Sequence, residues 1–492
     1  MDVSQKPSIR TLGELKASGY RPRSVREELR ERLVRKLRSG EKLFPGIIGF
    51  DQTVIPDLQR AILARHNILL LGLRGQAKTR IARQLVDLLD EYVPVVAGSE
   101  LNDDPMCPLS RYARDLIAAK GDQTPIEWIH RSERYVEKLA TPDVSVADLI
   151  GDVDPIKAAT LKLPYSDERV LHFGLIPRAH RSIFVINELP DLQARIQVAL
   201  FNILQEGDIQ IRGFKLRLPL DVAFVFTANP EDYTNRGSII TPLKDRIESQ
   251  ILTHYPRTVE EAMAITQQEA RLLPQQLDHI HIPEAARILL EQIAFEARAS
   301  EYVDEKSGVS ARLSISAMEH LVSSAELRLL KHAQKRTAVR LSDFMAIIPA
   351  ITGKIELVYE GEQEGPVAIA LHLMDKAMKK LFLRYFPNPD QQRDSDQDFY
   401  GVIRQWFGAG NVLELPTDLS DEQYLQALSS VAGLERAARA AGVAESDKVF
   451  FMELVLHGLA EFEVVSKDVL EGRVSFRDLL AGMFDEDGDD EH

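Results

Sequence analysis

Eight residues, Gly72-Leu-Arg-Gly-Gln-Ala-Lys78-Thr79, set two glycines, a lysine and a hydroxyl side by side. They follow the apolar run Asn67-Ile-Leu-Leu-Leu-Gly72 and precede a helical pattern over Arg80–Leu89. A strand, loop and helix of this kind wrap backbone N–H groups around a polyphosphate and aim the helix N-terminus at its charge. Gly72, Gly75, Gln76 and Ala77 supply that backbone. Lys78 reaches the β- and γ-phosphates, and the Thr79 hydroxyl ligates Mg²⁺. Ala77 stands where a second glycine is usual, which is costly if the backbone there needs φ > 0.

Two further apolar runs end in side chains suited to hydrolysis. Ser182-Ile-Phe-Val-Ile-Asn187 is followed by Glu188. An aspartate in place of Asn187 would hold Mg²⁺. The asparagine keeps an oxygen ligand and loses the charge, so weaker metal affinity is expected. Glu188 has the carboxylate that orients and polarises an attacking water, against the plainer reading of an exposed glutamate ending a buried strand. Val222–Ala228 runs into Asn229-Pro230. Asn229 either positions that water against the γ-phosphate or starts the turn before Pro230. Arg246, in Thr241-Pro-Leu-Lys-Asp-Arg246, is either a surface residue or an arginine finger for a neighbouring subunit's nucleotide. Arg312 opens a helix in Val309-Ser-Ala-Arg312-Leu-Ser, where a cation opposes the helix dipole and a phosphate partner would relieve the conflict.

These residues need a sheet to hold them. Short apolar runs alternating with helical stretches, among them Gln193–Gln205, indicate a parallel sheet covered on both faces over residues 46–256. Over 257–360 strand signals vanish and helical periodicity takes over (Ala285–Ala299, Ile315–Leu330, Leu341–Ile351), giving a helical lid. Residues 361–484 again read as helical, around a polar, proline-bearing loop at 387–398. Six acids in Asp485–Glu491 make 485–492 an acidic tail. Residues 1–45 hold twelve Lys/Arg and six acids, with Val25, Leu29, Leu33 and Leu37 four apart. That is a basic amphipathic helix, docked on the next domain or facing an acidic partner. The expected fold class is an α/β P-loop core with a parallel sheet, followed by an all-α lid and an additional all-α C-terminal region.

Composition narrows the function. The chain of 492 residues is long enough for about three domains with ample core. Its one cysteine, Cys107, excludes an intrachain disulfide or a Cys-built metal site, and a cytoplasmic setting is expected. The histidines form no metal-ligand cluster. A net charge of −15 argues against general adhesion to nucleic acid or anionic membrane. No apolar run approaches the roughly 20 residues of a membrane span.

Taken in order, the loop, the Asn187-Glu188 strand end, Asn229, Arg246 and Arg312 resemble the AAA+ ATPases. Several segments are similar to one branch, the magnesium-chelatase ATPase subunit and the MoxR proteins. They are Ile47-Ile-Gly-Phe-Asp-Gln52, Asn102-Asp-Asp-Pro-Met-Cys107, Asp148-Leu-Ile-Gly151 with 174–182, the post-strand helix at 189–207 and an insertion at 211–217. The resemblance covers residues 46–355 and leaves 360–492 outside. It implies ATP and Mg²⁺ as cofactors and Ile48 on the adenine side. Lys78, Thr79, Asn187, Glu188, Asn229 and Arg312 would serve the subunit's own nucleotide, and Arg246 its neighbour's. It also implies a homo-oligomer, a hexameric ring, and a separate partner with a von Willebrand A domain, whose Asp-x-Ser-x-Ser motif does not occur here. The function expected is an ATP-hydrolysing ring motor that remodels a partner protein, in metal insertion or a chaperone-like role. One alternative is a nucleotide-binding scaffold with weak turnover because of Asn187. Another is a DNA-directed AAA+ protein, disfavoured because the Gly-Ala-Phe-Thr-Gly-Ala loop is not found and the C-terminal region is acidic.

Overall fold

The three apolar runs become the middle of one parallel sheet. In the computed structural model, which describes residues 6–164, 167–206, 208–209, 211, 218–230, 238–392, 398–470 and 472–479, the chain divides into two units, 1–254 and 255–492. Most of the segment 211–217 and all of the acidic tail lie outside the described residues.

The first unit is built on strands β1 (Ile68–Leu71), β2 (Tyr135–Leu139), β3 (Ser182–Asn187), β4 (Val222–Ala228) and β5 (Ser249–Leu252), in the order β5-β1-β4-β3-β2. All four pairings are parallel. Successive side chains on a strand point to opposite faces, and the burial follows that rule. Ile183, Val185, Ala223 and Val225 join one core with helices α1 (Val25–Ser39), α2 (Val54–Ala64) and α3 (Lys78–Gln84). Phe184, Ile186, Phe224 and Phe226 join a second core with α4 (Ala194–Glu206) and α5 (Thr241–Arg246). A sheet buried on both faces needs continuous apolar strands, which is why β3 and β4 were readable.

The basic N-terminal helix is part of this unit and not a separate segment. Ser24 and Glu27 form a capping box at the start of α1, and Gly40 ends it at φ 71. Val25, Leu29 and Leu33 are buried in the core, whereas Leu37 is 43% exposed. Glu28, on the same face, accepts from Arg134 Nη1 and Nη2 at 2.7 Å each, and both side chains are almost wholly buried. Arg26 donates to Asn67 Oδ1 at 2.8 Å and to the Val222 carbonyl at 3.2 Å.

Beneath α1, Asp221 accepts the Val25 N–H at 2.7 Å, and its own N–H donates to His180 Nδ1 at 3.0 Å. Burial pushes the Asp221 carboxyl up to about 6, against the Val25 hydrogen bond and the Arg181 charge. Burial and Arg181 push His180 down to about 4. The signs are opposite. Stability from Asp221 is lost as pH rises through about 6, and stability from His180 is lost as pH falls from its unfolded value towards about 4. Asp221→Asn therefore unmasks the histidine. The variant's unfolding free energy in urea titrations should fall by about 3 kcal/mol on going from pH 6.5 to 4, where the parent changes far less.

The second unit has one apolar core running from Ile280 to Phe476. It joins α6 (Glu284–Ala299) and α7 (Arg312–Lys331) of the expected lid to α8 (Pro366–Tyr385) and α9 (Lys448–Glu461) of the expected C-terminal region. Glu453 on α9 is fully buried and accepts the Leu341 and Ser342 N–H groups at 2.8 and 3.0 Å, together with the Tyr424 hydroxyl at 2.5 Å. The expected split at 360 therefore falls inside a shared core. Nor is the C-terminal region all-α. Strands β6 (Leu413–Pro416), β7 (Val465–Leu470) and β8 (Arg473–Asp478) form an antiparallel sheet in the order β6-β8-β7. The alternation that buries Val474 and Phe476, and Gly472 at φ 77 between β7 and β8, account for the hairpin. In the expected lid, Ile280–His281 also pairs in parallel with Thr337–Ala338.

Candidate active site

Because β1, β3 and β4 are parallel and adjacent, their C-terminal ends lie together, at the edge where open α/β sheets bind ligands. The loop 72–79 leaves β1 there. Gly72 packs so closely that a Cβ would collide with the Thr253 hydroxyl and the Gln76 side-chain oxygen. Thr253 donates to that Gln76 oxygen at 2.7 Å, fixing the loop against the end of β5. Gly75 lies at φ 74 and Ala77 at φ 56, both left-handed. An alanine there is strained, so Ala77→Gly should raise the urea midpoint of the first unit, by about 0.5 kcal/mol after the glycine's extra unfolded-state entropy.

Lys78 is buried. Its Nζ donates to the carbonyls of Gly72 and Leu73 (2.9 Å for the latter) and to Asn229 Oδ1 at 2.7 Å. Asn229 Nδ2 donates in turn to Glu188 Oε2 at 3.2 Å. A lysine at the start of α3, an amide after β4 and a carboxylate after β3 are thus linked in a row. Glu188 is in the left-handed region at φ 55, and its N–H donates to Thr227 Oγ1 at 3.1 Å. Thr79 sits half-buried in the first turn of α3.

Asn187 is held from two sides. Thr227 Oγ1 donates to its Oδ1 at 3.2 Å, and its Nδ2 donates to Glu137 Oε1 at 2.6 Å. Glu137 on β2 also accepts from Arg83 Nε at 3.0 Å and from the Tyr135 hydroxyl at 3.1 Å. Burial pushes the Glu137 carboxyl up, but hydrogen bonds from Arg83 and Tyr135, the Arg83 charge and the Asn187 amide together hold it below its ordinary value. The sequence reading missed Glu137, Arg83, Tyr135, Thr227 and Thr253. The polar and charged residues within Tyr135-Val-Glu-Lys-Leu139 hid β2, and only the strand order brings Glu137 beside Asn187.

Ile48 and Arg246 lie outside this row in the first unit, and Arg312 belongs to the second unit. Ile48 is half-buried between Ile47 and Phe50, which are buried. Its segment is tied to the loop side by Phe50 packing edge-on to His254 and by Gln84 donating to the Pro45 carbonyl at 2.7 Å. Arg246 ends α5, paired with Asp245 and lying 5.5 Å over the Phe201 ring. Arg312 is exposed at the start of α7 in the second unit, its N–H donating to Ser310 Oγ at 3.1 Å. Cys107 is a free, exposed thiol.

No protein-family model matches the chain. Over 321 residues it is 23% identical to magnesium-chelatase subunit ChlI-2 of Arabidopsis thaliana, covering 62% of this chain and 73% of that one. Over 322 residues it is 25% identical to the Nicotiana tabacum subunit ChlI, covering 62% and 72%. The chain is similar to the AAA+ ATPase subunits of magnesium chelatase, the branch the sequence resemblance named. Among solved structures, the chain matches a Cytophaga hutchinsonii protein solved as a candidate ATPase, at 16% identity and TM-score 0.29, covering 74% of this chain and 98% of that one. It also matches a chain of the BchI–BchD complex of magnesium chelatase, at 19% identity and TM-score 0.34, covering 65% and 98%.

ATP with Mg²⁺ is the pair that the sequence resemblance implies for this site. The expected ligands fit the ion: the Thr79 hydroxyl and Asn187 Oδ1 are oxygens, as a hard cation prefers. The contact with Glu137 occupies the Asn187 nitrogen, and the Asn187 oxygen accepts from Thr227. Among the described residues no group of three His, Cys, Asp or Glu is placed to hold a metal alone. Mg²⁺ sites of this kind share the ion with the phosphates. No described helix is long and apolar enough to cross a membrane.

Proposed function

We propose that this ATPase hydrolyses ATP within a homo-oligomeric, hexameric ring and uses the cycle to remodel a partner protein. The partner is a separate chain carrying a von Willebrand A domain, in a metal-inserting or chaperone-like complex. The observation that carries the reading is the row Lys78–Asn229–Glu188 at the shared end of β1, β4 and β3. Gly72, Gly75, Gln76 and Ala77 cradle the phosphates, Lys78 binds the β- and γ-oxygens, and Ile48 lies against the adenine. Glu188 orients the water for in-line attack on the γ-phosphorus, with Asn229 fixing its position. Arg246 from the neighbouring subunit and Arg312 from the helical unit stabilise the charge that develops on the transferred group. Thr79 and Asn187 would hold Mg²⁺ together with the phosphates, and the ion would supply positive charge against the phosphate oxygens.

A second reading, a nucleotide-binding scaffold with weak turnover, is favoured by the missing charge at Asn187 and expects Asn187→Asp to speed hydrolysis. Steady-state phosphate release separates the two. Turnover well above that of Lys78→Ala supports the motor, and equal rates reject it. Rings seen by electron microscopy with ATP and not without it support the assembly.

A further inference from the structure

The charge missing at residue 187 stands one strand away. Around Asn187 the hydrogen bonds run in a single direction: Glu188 N–H to Thr227 Oγ1, Thr227 hydroxyl to Asn187 Oδ1, and Asn187 Nδ2 to Glu137 Oε1. The chain of donors ends on the Glu137 carboxylate, whose oxygens also accept from Arg83 and from the Tyr135 hydroxyl. Arg83 lies on α3, the helix that begins at Lys78. Only an amide suits position 187 in this setting, because it accepts from Thr227 while donating to Glu137. An aspartate would accept from Thr227 but meet Glu137 with no proton between them. Two carboxylates at the 2.6 Å separating Asn187 Nδ2 from Glu137 Oε1 do not both ionise.

We propose that Glu137 is a positioning residue for hydrolysis. It fixes which way the Asn187 amide faces and, through Thr227, holds the left-handed turn that aims Glu188. Glu137 and Asn187 then form a matched pair, and restoring the usual aspartate at 187 harms the enzyme. The inference rests on Glu188 being the water-orienting group.

The test compares the full chain with Asn187→Asp, Glu137→Gln and the double variant, measuring kcat and KM for ATP with Mg²⁺ and the urea midpoint without nucleotide. Asn187→Asp should lower kcat about tenfold or more with KM within about twofold, since a small misplacement of the reacting groups costs this much. Its urea midpoint should also fall. Glu137→Gln, which keeps the shape, should also lower kcat with KM unchanged, because an amide at 137 no longer dictates the orientation of Asn187. In the double variant Glu137→Gln supplies the donor and Asn187→Asp the acceptor, so kcat and midpoint should return most of the way to the parent. An Asn187→Asp protein as active and as stable as the parent overturns the inference, as does a double variant no better than its worse single. Hydrolysis by the parent no faster than by Lys78→Ala instead sinks the proposed function, and the midpoints still report the Glu137–Asn187 contact.

Discussion

Glu188→Gln should lower kcat for ATP hydrolysis by about 10²–10⁴-fold and leave nucleotide affinity within a few-fold of the parent. The glutamine keeps the shape of the side chain and can still accept from Asn229 Nδ2, a contact of 3.2 Å in the parent. The left-handed turn at residue 188 also survives, because it is held through the backbone N–H to Thr227. What disappears is the negative charge that polarises the attacking water. Lys78→Ala differs in kind. It removes a buried cation that the loop carbonyls and Asn229 already organise, and so weakens nucleotide binding itself. Titration with a fluorescent ATP analogue, followed by single-turnover hydrolysis, separates the two. A Glu188→Gln protein that turns over at the parental rate would remove Glu188 from the mechanism.

The second large effect is on stability. Glu28→Ala should destabilise the first unit by about 3–5 kcal/mol, because it strands Arg134, a nearly fully buried cation, without its carboxylate. Arg134 would retain only the Arg181 carbonyl, which its Nε meets at 2.8 Å. The loss reflects the stranded charge more than the worth of the pair. Glu28→Leu combined with Arg134→Met should therefore recover much of it. The two tryptophans separate the units, since Trp128 lies in the first and Trp406 in the second. Urea unfolding in a Trp406→Phe background then reports the first unit alone. A Glu28→Ala midpoint equal to the parent's would show that α1 is held by its apolar face without the ion pair.

The parts of the site that were legible in the sequence are those with a local signature. The loop 72–79 is contiguous, and β1, β3 and β4 lie in the sheet interior, where burial on both faces demands unbroken apolar runs. The residues that end those strands, Glu188 and Asn229, followed from the same runs. Strands β2 and β5 lie at the sheet edges and are partly exposed, and charged residues in β2 and the polar Ser249-Gln250 of β5 interrupt the apolar pattern, so neither they nor Glu137 could be read. The β7–β8 hairpin was missed for a related reason. Polar and apolar residues alternate only over Arg473-Val-Ser-Phe-Arg477 of β8 and not along β7 (Val465-Ser-Lys-Asp-Val-Leu470), and both strands sit beside long helical periodicities that dominate the region. Arg134 and Glu28 are far apart in the chain and carry no motif, so the buried ion pair on the inner face of the basic amphipathic helix could not be read.

The shared core of the second unit bears on how the chain can be cut. A fragment trimmed to the part that resembles its relatives, ending near residue 360, would keep α6 and α7 and discard α8 and α9. The apolar faces of the retained helices would be left to water. The N–H groups of Leu341 and Ser342, now satisfied by Glu453, would lose their acceptor. Such a fragment should aggregate, whereas the division at 254/255 keeps each core whole. The C-terminal residues and the helices before them are thus one folding body, and a change on either side of residue 360 is felt by the other.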